Sequence, residues 1–358
     1  MLALHSSDPV TVYLSMFARS PELKVGDTEH ALYERRSLVR FYGMRRTLWV
    51  VEREMVPVVH HSTTRRLGER ERARHIRLIE EAGIAEDGAA WLDEHLPLIL
   101  EVLARRGPTL GRDLTKEIPA LEHKITFRNK AGRVTATAGM TTRALTQLAL
   151  ESRIVRARPA GSWISGQYRW AETGDWLGDP IADVDPQEAS ARLVARWLTT
   201  FGPATEDDLR WWTGWSLGQL RQALSRVGAV EVSLEEGTGL LLPDDEEPVE
   251  VPPRWVALLP SLDPTTMGWK QRRWYLDGLE AELFDRSGNA GQTVWVDGRV
   301  VGGWAQRKEG ELVYELLDDV GSEAVDMIES KLAALGDWLG PARFTCRFRS
   351  NLDRRLMG

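Results

Sequence analysis

ARRGPTLGRDL at residues 104–114 and TTFGPATEDDL at residues 199–209 repeat one design. Each ends a helix at Gly, breaks it with Pro, offers Thr as a cap, and restarts on an acid followed by Leu. Gly and Pro stop one helix, Thr caps the next, and an acid suits the positive end of the new turn. An internal repeat decides the architecture before any other feature does.

The surroundings of the second copy extend the pattern. SARLVARWLTTFG (190–202) predicts an amphipathic helix ended by Gly202. Thr205 caps a short helix that closes at Gly214, and Ser216 caps LGQLRQALSRVG, which ends at Gly228. AVEVSLEEGTGLLLP (229–243) alternates as strand, turn and strand. The first copy has the same order. LDEHLPLILEVLARRG (92–107) is a helix and GRDLTKEI (111–118) a second. Thr141 or Thr142 caps a third, RALTQLALESR, and IVRARPAGSWISGQYRWA (154–171) is a hairpin turning near Pro159–Ser162. Three helices and a hairpin are the winged helix-turn-helix order. A weaker copy lies upstream in ALYERRSLVRFYGMRRTLWVVE (31–52), with a helix at Thr28–Glu34 and a strand pair that includes Arg45 and Arg46. Only nine residues precede its first helix, from Val10 to Arg19, so this unit is expected to be N-terminally truncated.

Beyond the acidic, Pro-rich linker DDEEPVEVPP (244–253), the pattern changes. WVALLPSLDP, TVWVDGRVVGGWAQR and LVYELLDD read as strands, the second with a DG hairpin turn. SEAVDMIESKLAALGDWLG is a helix ended by Gly340, and RFTCRFR (343–349) a last strand. The expected fold class is mainly α with β wings (α+β): tandem winged helix-turn-helix units plus a C-terminal β-rich α+β domain. Its units are 1–64, 65–175 with a basic connector, 188–245, and 253–358.

The chain has 358 residues, more than one core of about 250–300 residues accommodates. A single cysteine, Cys346, excludes a disulfide framework and a Cys-rich zinc site, and suits a reducing cytoplasm. No apolar run is long enough to span a membrane, and the first fifteen residues lack the basic segment of a signal peptide. No coiled-coil seam is present, so the expected state is a monomer. His60–His61 has no metal-ligand spacing with His75 or Glu52, so no metal is expected.

A net charge of −7 argues against polyanion binding until its distribution is read. Residues 35–77 hold 12 Lys/Arg against 4 Asp/Glu, and residues 105–170 hold 13 against 4. Residues 171–251 reverse this, with 5 against 17. Such segregation makes a basic face on an acidic protein, and a polyanion responds to the local field. Separate solvated faces are the plainer alternative.

Three stretches carry a resemblance: WVALLPSLDPTTMGWKQRRWYL (255–276), LFDRSGNAGQTVWVDGRVVGGWAQR (283–307) and YGMRRTLWVV (42–51). Together they resemble the winged-helix DNA-binding family that includes the AlkZ-type bacterial DNA glycosylases. The resemblance spans nearly the whole chain. It implies three tandem winged helices and a β-rich domain around a concave basic face that holds double-stranded DNA. It also implies cofactor-free, monofunctional hydrolysis of the N-glycosidic bond of alkylated or bulky-adducted purines. Those enzymes carry Gln-x-Gln or Gln-x-Asp, in many relatives followed by Asp-Pro. Here Asp8–Pro9 sits in that place, so His5 and Ser7 fall at the motif positions and neither is Gln.

Bond cleavage passes through an oxocarbenium-like sugar that needs a held water and nearby negative charge. His5 is a candidate base, Ser7 a candidate to orient the water, and Asp8 a candidate to stabilise the cation or fix the His5 tautomer. The plainer reading makes Ser7 or Asp8 a helix cap with Pro9 at the first position. For DNA contact the candidates are Arg45 and Arg46, one of which would face the groove, and Lys124, Arg128, Lys130, Arg133 and Arg143 in a weakly structured basic loop. Arg286 and Asn289 are expected to line the cleft. The third repeat, acidic around SLGQLRQALSRV, reads as scaffold, and most of the 15 Trp as core anchors. A non-catalytic winged-helix DNA-binding protein or regulator is the competing function.

Overall fold

The computed structural model describes residues 2–129, 132–235, 237–247 and 249–358. The chain is a mixed α+β protein of two compact units, residues 31–193 and residues 1–30 together with 194–358. Among the described residues no helix is long and apolar enough to cross a membrane.

In the 31–193 unit, strands Leu38–Tyr42 and Leu48–Glu52 form an antiparallel hairpin with Leu38 opposite Glu52 and Tyr42 opposite Leu48. Arg45 and Arg46 are not in that strand pair. They sit in the tight turn Met44–Arg46, at φ of 53° and 62°. The five-residue strands close on so short a connection that both arginines take the left-handed region. Helices Arg65–Glu81 and Gly88–Arg106 follow, the second capped by the Asp87 carboxylate on the Ala90 amide. Next come strand Thr109–Leu110, helix Gly111–Glu117, helix Met140–Leu150, and strands Ile154–Pro159 and Tyr168–Glu172. Thr109–Leu110 pairs with the last strand, which pairs in turn with Ile154–Pro159. Buried Ile79, Leu92, Ile99, Leu114, Met140 and Leu148 form the core beneath.

The basic connector departs from the expected loop. Lys124–Arg128 and Val134–Gly139 pair as an antiparallel hairpin inserted before helix Met140–Leu150. Neither Thr141 nor Thr142 caps that helix: it starts one residue earlier, with Gly139 at the cap position, and the Thr141 hydroxyl donates to the Leu121 carbonyl at 3.1 Å. The following hairpin turns over residues 160–167, a longer connection than Pro159–Ser162.

In the other unit the expected caps are present. The Thr205 hydroxyl accepts the Asp208 amide, and Gly214 ends helix Glu206–Thr213 in the left-handed region. Ser216 and Gly228 bound helix Leu217–Val227 in the same way. Strands Val256–Leu259, Thr293–Val296, Arg299–Gln306 and Leu312–Leu316 form one antiparallel sheet in that order. Asp297 and Gly298, at φ of 47° and 87°, make the predicted DG turn. The final strand is not formed. Residues 343–349 are irregular, and a helix Asn351–Met357 follows. Their backbone amides go to side chains instead of a ladder: Phe344 donates to Gln306 Oε1 and Arg347 to Asp8 Oδ2.

Helix Pro9–Phe17 is fastened to the distant end of the same unit. The Thr11 hydroxyl donates to the Ser261 carbonyl at 2.7 Å and the Ser15 hydroxyl to Asp263 at 2.8 Å. Arg19 closes the contact with two hydrogen bonds to Asp263, of 2.9 and 2.7 Å. The Asp263 side chain has no exposed surface. Removing one partner of a buried pair strands the other charge and costs about 3–5 kcal/mol. Asp263→Ala is therefore expected to lose stability of that order in urea unfolding. A loss below about 1 kcal/mol would mean that the pair behaves like a solvent-screened surface bridge.

Candidate functional site

The first helix opens at Asp8, whose extended backbone and Pro9 at the first helical position suit a cap. Asp8 Oδ1 accepts the Val10 amide at 3.3 Å, and Oδ2 accepts the Arg347 amide at 2.8 Å. The Arg347 guanidinium donates to the Ser7 carbonyl at 3.2 Å. The cap reading of Asp8 is thus realised, and the carboxylate is also tied to a residue 339 positions away. His5, Ser6 and Asp8 are buried, while Ser7 is half-buried. The Ser7 amide donates to His5 Nδ1 over a long 3.4 Å. Burial raises the pKa of the Asp8 carboxyl; the Arg347 and Val10 amides work in the other direction.

A carboxylate oxygen has more than one lone-pair direction. Two amide donors leave Asp8 able to stabilise a nearby cation while fixing where it points. No local signal marks Arg347, because its stretch alternates like a strand.

A second buried carboxyl lies in the same neighbourhood. The Cys346 thiol is pushed well above its ordinary value by burial, then by the Asp353 and Asp8 carboxyls. Asp353 is raised from 3.8 to about 6 by burial, against the pull of Arg349 and Arg354. Between those two values the native state holds a proton that the unfolded chain has released, so stability falls as pH rises through that window. The cost at neutral pH is about 3 kcal/mol at most. Asp353→Asn is expected to unfold at higher temperature than the parent at pH 7 and at the same temperature near pH 4. An equal difference at both pH values would contradict this.

The expected DNA contacts divide between the two units. Arg45, Arg46, Lys124, Arg133 and Arg143 belong to the 31–193 unit; Arg286 and Asn289 belong to the other. Lys124 and Arg133 are exposed on the inserted hairpin, and the Arg133 amide is held by Asn129 Oδ1. The side chain of Arg128, and all of Lys130, lie outside the described residues. Arg143 is half-buried with its guanidinium 5.4 Å from the centre of the Phe127 ring. Arg286 is exposed, whereas Asn289 turns its amide back on the Asp285 carboxylate at 2.9 Å and fastens its own loop. The same unit as Lys124 has a cavity of about 560 Å³, walled by Arg112, Thr115, Thr142, Arg156, Gln167 and Tyr168. No sequence motif marks it, because its walls come from five separated segments.

Of the two adjacent histidines, His60 Nδ1 meets the Ser152 hydroxyl at 2.8 Å and His61 Nε2 meets the Ala182 carbonyl at 3.2 Å. Burial, then the neighbouring His61 and Arg65, lower His60 to about 4. Among the described residues no three His, Cys, Asp or Glu side chains are grouped to hold a metal.

Comparison with curated proteins finds no match. Among solved structures, the Streptomyces sahachiroi DNA glycosylase AlkZ is similar, with a TM-score of 0.72 at 18% identity. The match covers 96% of this chain and 90% of that one, and it shows a shared fold. The family described as DNA glycosylase AlkZ-like matches residues 1–338. The chain therefore belongs to the AlkZ-like DNA glycosylase family.

Proposed function

We propose that this DNA glycosylase-like protein binds double-stranded DNA and hydrolyses the N-glycosidic bond of alkylated or bulky-adducted purines. Family membership over residues 1–338 is the observation that carries the reading. The element order supports winged-helix units within it. Helix Gly88–Arg106, strand Thr109–Leu110, helices Gly111–Glu117 and Met140–Leu150, and the strands Ile154–Pro159 and Tyr168–Glu172 follow that order, with the basic hairpin as an insertion. Helices Glu206–Thr213 and Leu217–Val227 with strands Val230–Leu234 and Gly237–Leu241 give a further, acidic copy that serves as scaffold. Residues 1–64 supply the first unit and 253–358 the β-rich domain.

In this reading Lys124, Arg128, Lys130, Arg133 and Arg143 meet the DNA backbone, with Arg45, Arg46 and Arg286 as further phosphate contacts. Asn289 shapes the loop that carries Arg286. N-alkylation makes the purine a cationic leaving group, so no strong acid, metal or organic cofactor is needed. Asp8 is held ready to stabilise the sugar cation, and Ser7 orients the water. His5 is the base that takes the proton the attacking water gives up. The protein acts as a monomer in a reducing, cytoplasmic setting.

The burial of His5 and Asp8 favours a second reading, a DNA-binding protein without chemistry. Release of free base from methylated or nitrogen-mustard-treated duplex DNA separates the two. The enzyme reading expects release by the parent, a loss of about 100-fold or more in Asp8→Asn, and a similar loss in Ser7→Ala, with melting intact. Tight binding with no base released from any of these substrates would leave the binding protein.

A further inference from the structure

Helix Arg65–Glu81 carries ten charged side chains, and all but one of them reach solvent at least in part. The exception is Glu71, 4% exposed. Burying a carboxylate without compensation is costly, so its partners are informative. Glu71 Oε2 accepts Arg46 Nη1 at 2.6 Å, and Oε1 accepts Arg74 Nη1 at 3.3 Å. His75 Nε2 stands 3.4 Å from Oε1.

The floor of this cluster is fixed. His75 is 1% exposed, and its Nδ1 is 3.0 Å from Gln147 Oε1. The Gln147 amide group donates to the Gly68 carbonyl and to Glu151. With its NH₂ so used, Gln147 accepts, and Nδ1 of His75 carries the proton. Burial lowers the pKa of His75, while the Glu71 carboxylate and the bond to Gln147 work in the other direction. Helix Arg65–Glu81 cannot draw back to release Glu71 without parting from helix Met140–Leu150, because the two approach so closely at Gly68 that a Cβ there would lie 2.7 Å from the Leu150 carbonyl oxygen.

The rim is also fixed, and it stays wet. The turn that carries Arg46 is locked on the Met44 carbonyl, which accepts from the Thr47 hydroxyl at 2.9 Å and the Trp49 indole at 3.2 Å. Arg46 holds a positive φ of 62° there, a conformation that a bulky side chain adopts only under constraint. Yet the side chains of Arg46 and Arg74 are 48% and 40% exposed. Arg143 feels these charges from beside the Phe127 ring: burial, then Arg74 and Arg46, lower its pKa, and Glu71 only partly offsets them. Two guanidiniums therefore share one carboxylate beside the His75 imidazole. One positive charge is left over at a rigid, water-facing rim.

We propose that Arg46 and Arg74 form a clamp for a backbone phosphate of duplex DNA, with buried Glu71 as the positioning residue that aims the guanidiniums. The clamp rests on the DNA-binding reading above. Glu71 does not touch the phosphate. It occupies the inner donors of Arg46 and Arg74 and leaves their outer edges for the planar, two-point contact that guanidinium makes with phosphate oxygens. Arg74, Glu71, His75 and Gln147 belong to no motif, since the helix that carries the first three reads as a run of mixed charge.

Binding of the full chain to an unmodified duplex of about 20 base pairs, titrated against salt, tests the clamp without requiring base release. Arg46→Ala with Arg74→Ala is expected to weaken binding about tenfold or more and to reduce the slope of log affinity against log salt by about one unit. Glu71→Gln separates positioning from bulk electrostatics. It removes a negative charge beside DNA, so Coulomb attraction alone predicts tighter binding. The clamp predicts weaker binding, by about threefold or more, at an unchanged slope. Arg46→Lys, at an exposed position that tolerates the change, keeps the charge and is expected to weaken binding because the fork is lost. Parent-like or tighter binding by Glu71→Gln in a folded protein, or parent-like binding by Arg46→Lys, would overturn the clamp while leaving DNA binding standing. Failure of the parent to bind duplex would overturn both. Inorganic phosphate at matched ionic strength is expected to leave the melting temperature unchanged. A rise lost in the double variant, without any effect on DNA binding, would assign the site to a small anion and overturn the proposal.

Discussion

Asp263, a carboxylate without exposed surface, holds together the part of the molecule that carries its N-terminal helix. Arg19 meets it with two hydrogen bonds, Ser15 adds a third, and Thr11 anchors one turn earlier on Ser261. Helix Pro9–Phe17 is thereby fixed to a segment some 250 residues away, and its first turn is fixed with it. Asp8 can cap that helix and receive the Arg347 amide only because the register of this contact is set. A buried ion pair is weak evidence for net stability, since desolvation offsets much of its attraction. Its worth here is geometric. Both oxygens of Asp263 are engaged and the guanidinium is planar, so few other arrangements of the helix satisfy the pair.

The same logic recurs in the 31–193 unit with the charges reversed in number. Asp263 has one arginine and is balanced. Glu71 has two and is not. A balanced pair is a fastening, whereas an overcharged cluster with an exposed rim is a place for a further anion.

Local features were legible from the sequence because local chemistry fixes them. Thr205, Ser216, Gly214 and Gly228 bound their helices as read, and Asp297–Gly298 turns its hairpin, since caps and tight turns depend on a few adjacent residues. Structure departs from local pattern where distant groups decide the outcome. RFTCRFR alternates like a strand, and Phe344 and Cys346 are indeed buried, but the amides of Phe344 and Arg347 are taken by Gln306 and Asp8. The basic connector looked like a loop because a two-stranded hairpin with exposed faces lacks an apolar stripe. Arg45 and Arg46 read as strand residues, although the turn needed left-handed backbone where no Gly or Asn announces it. The candidate site was legible in part: Asp8 by its cap signature, Arg46 and Arg143 by charge. Arg347 and Glu71 were not, because their roles come from partners far away in sequence.

Hydrogen–deuterium exchange of the full chain with and without duplex DNA tests the central claim most directly, because it reads which backbone segments the DNA covers. The account predicts slowed exchange in residues 43–47, 68–77 and 124–146, with the acidic copy at 206–241 unchanged. Slowing confined to 206–241, or absent throughout at saturating DNA, would contradict it.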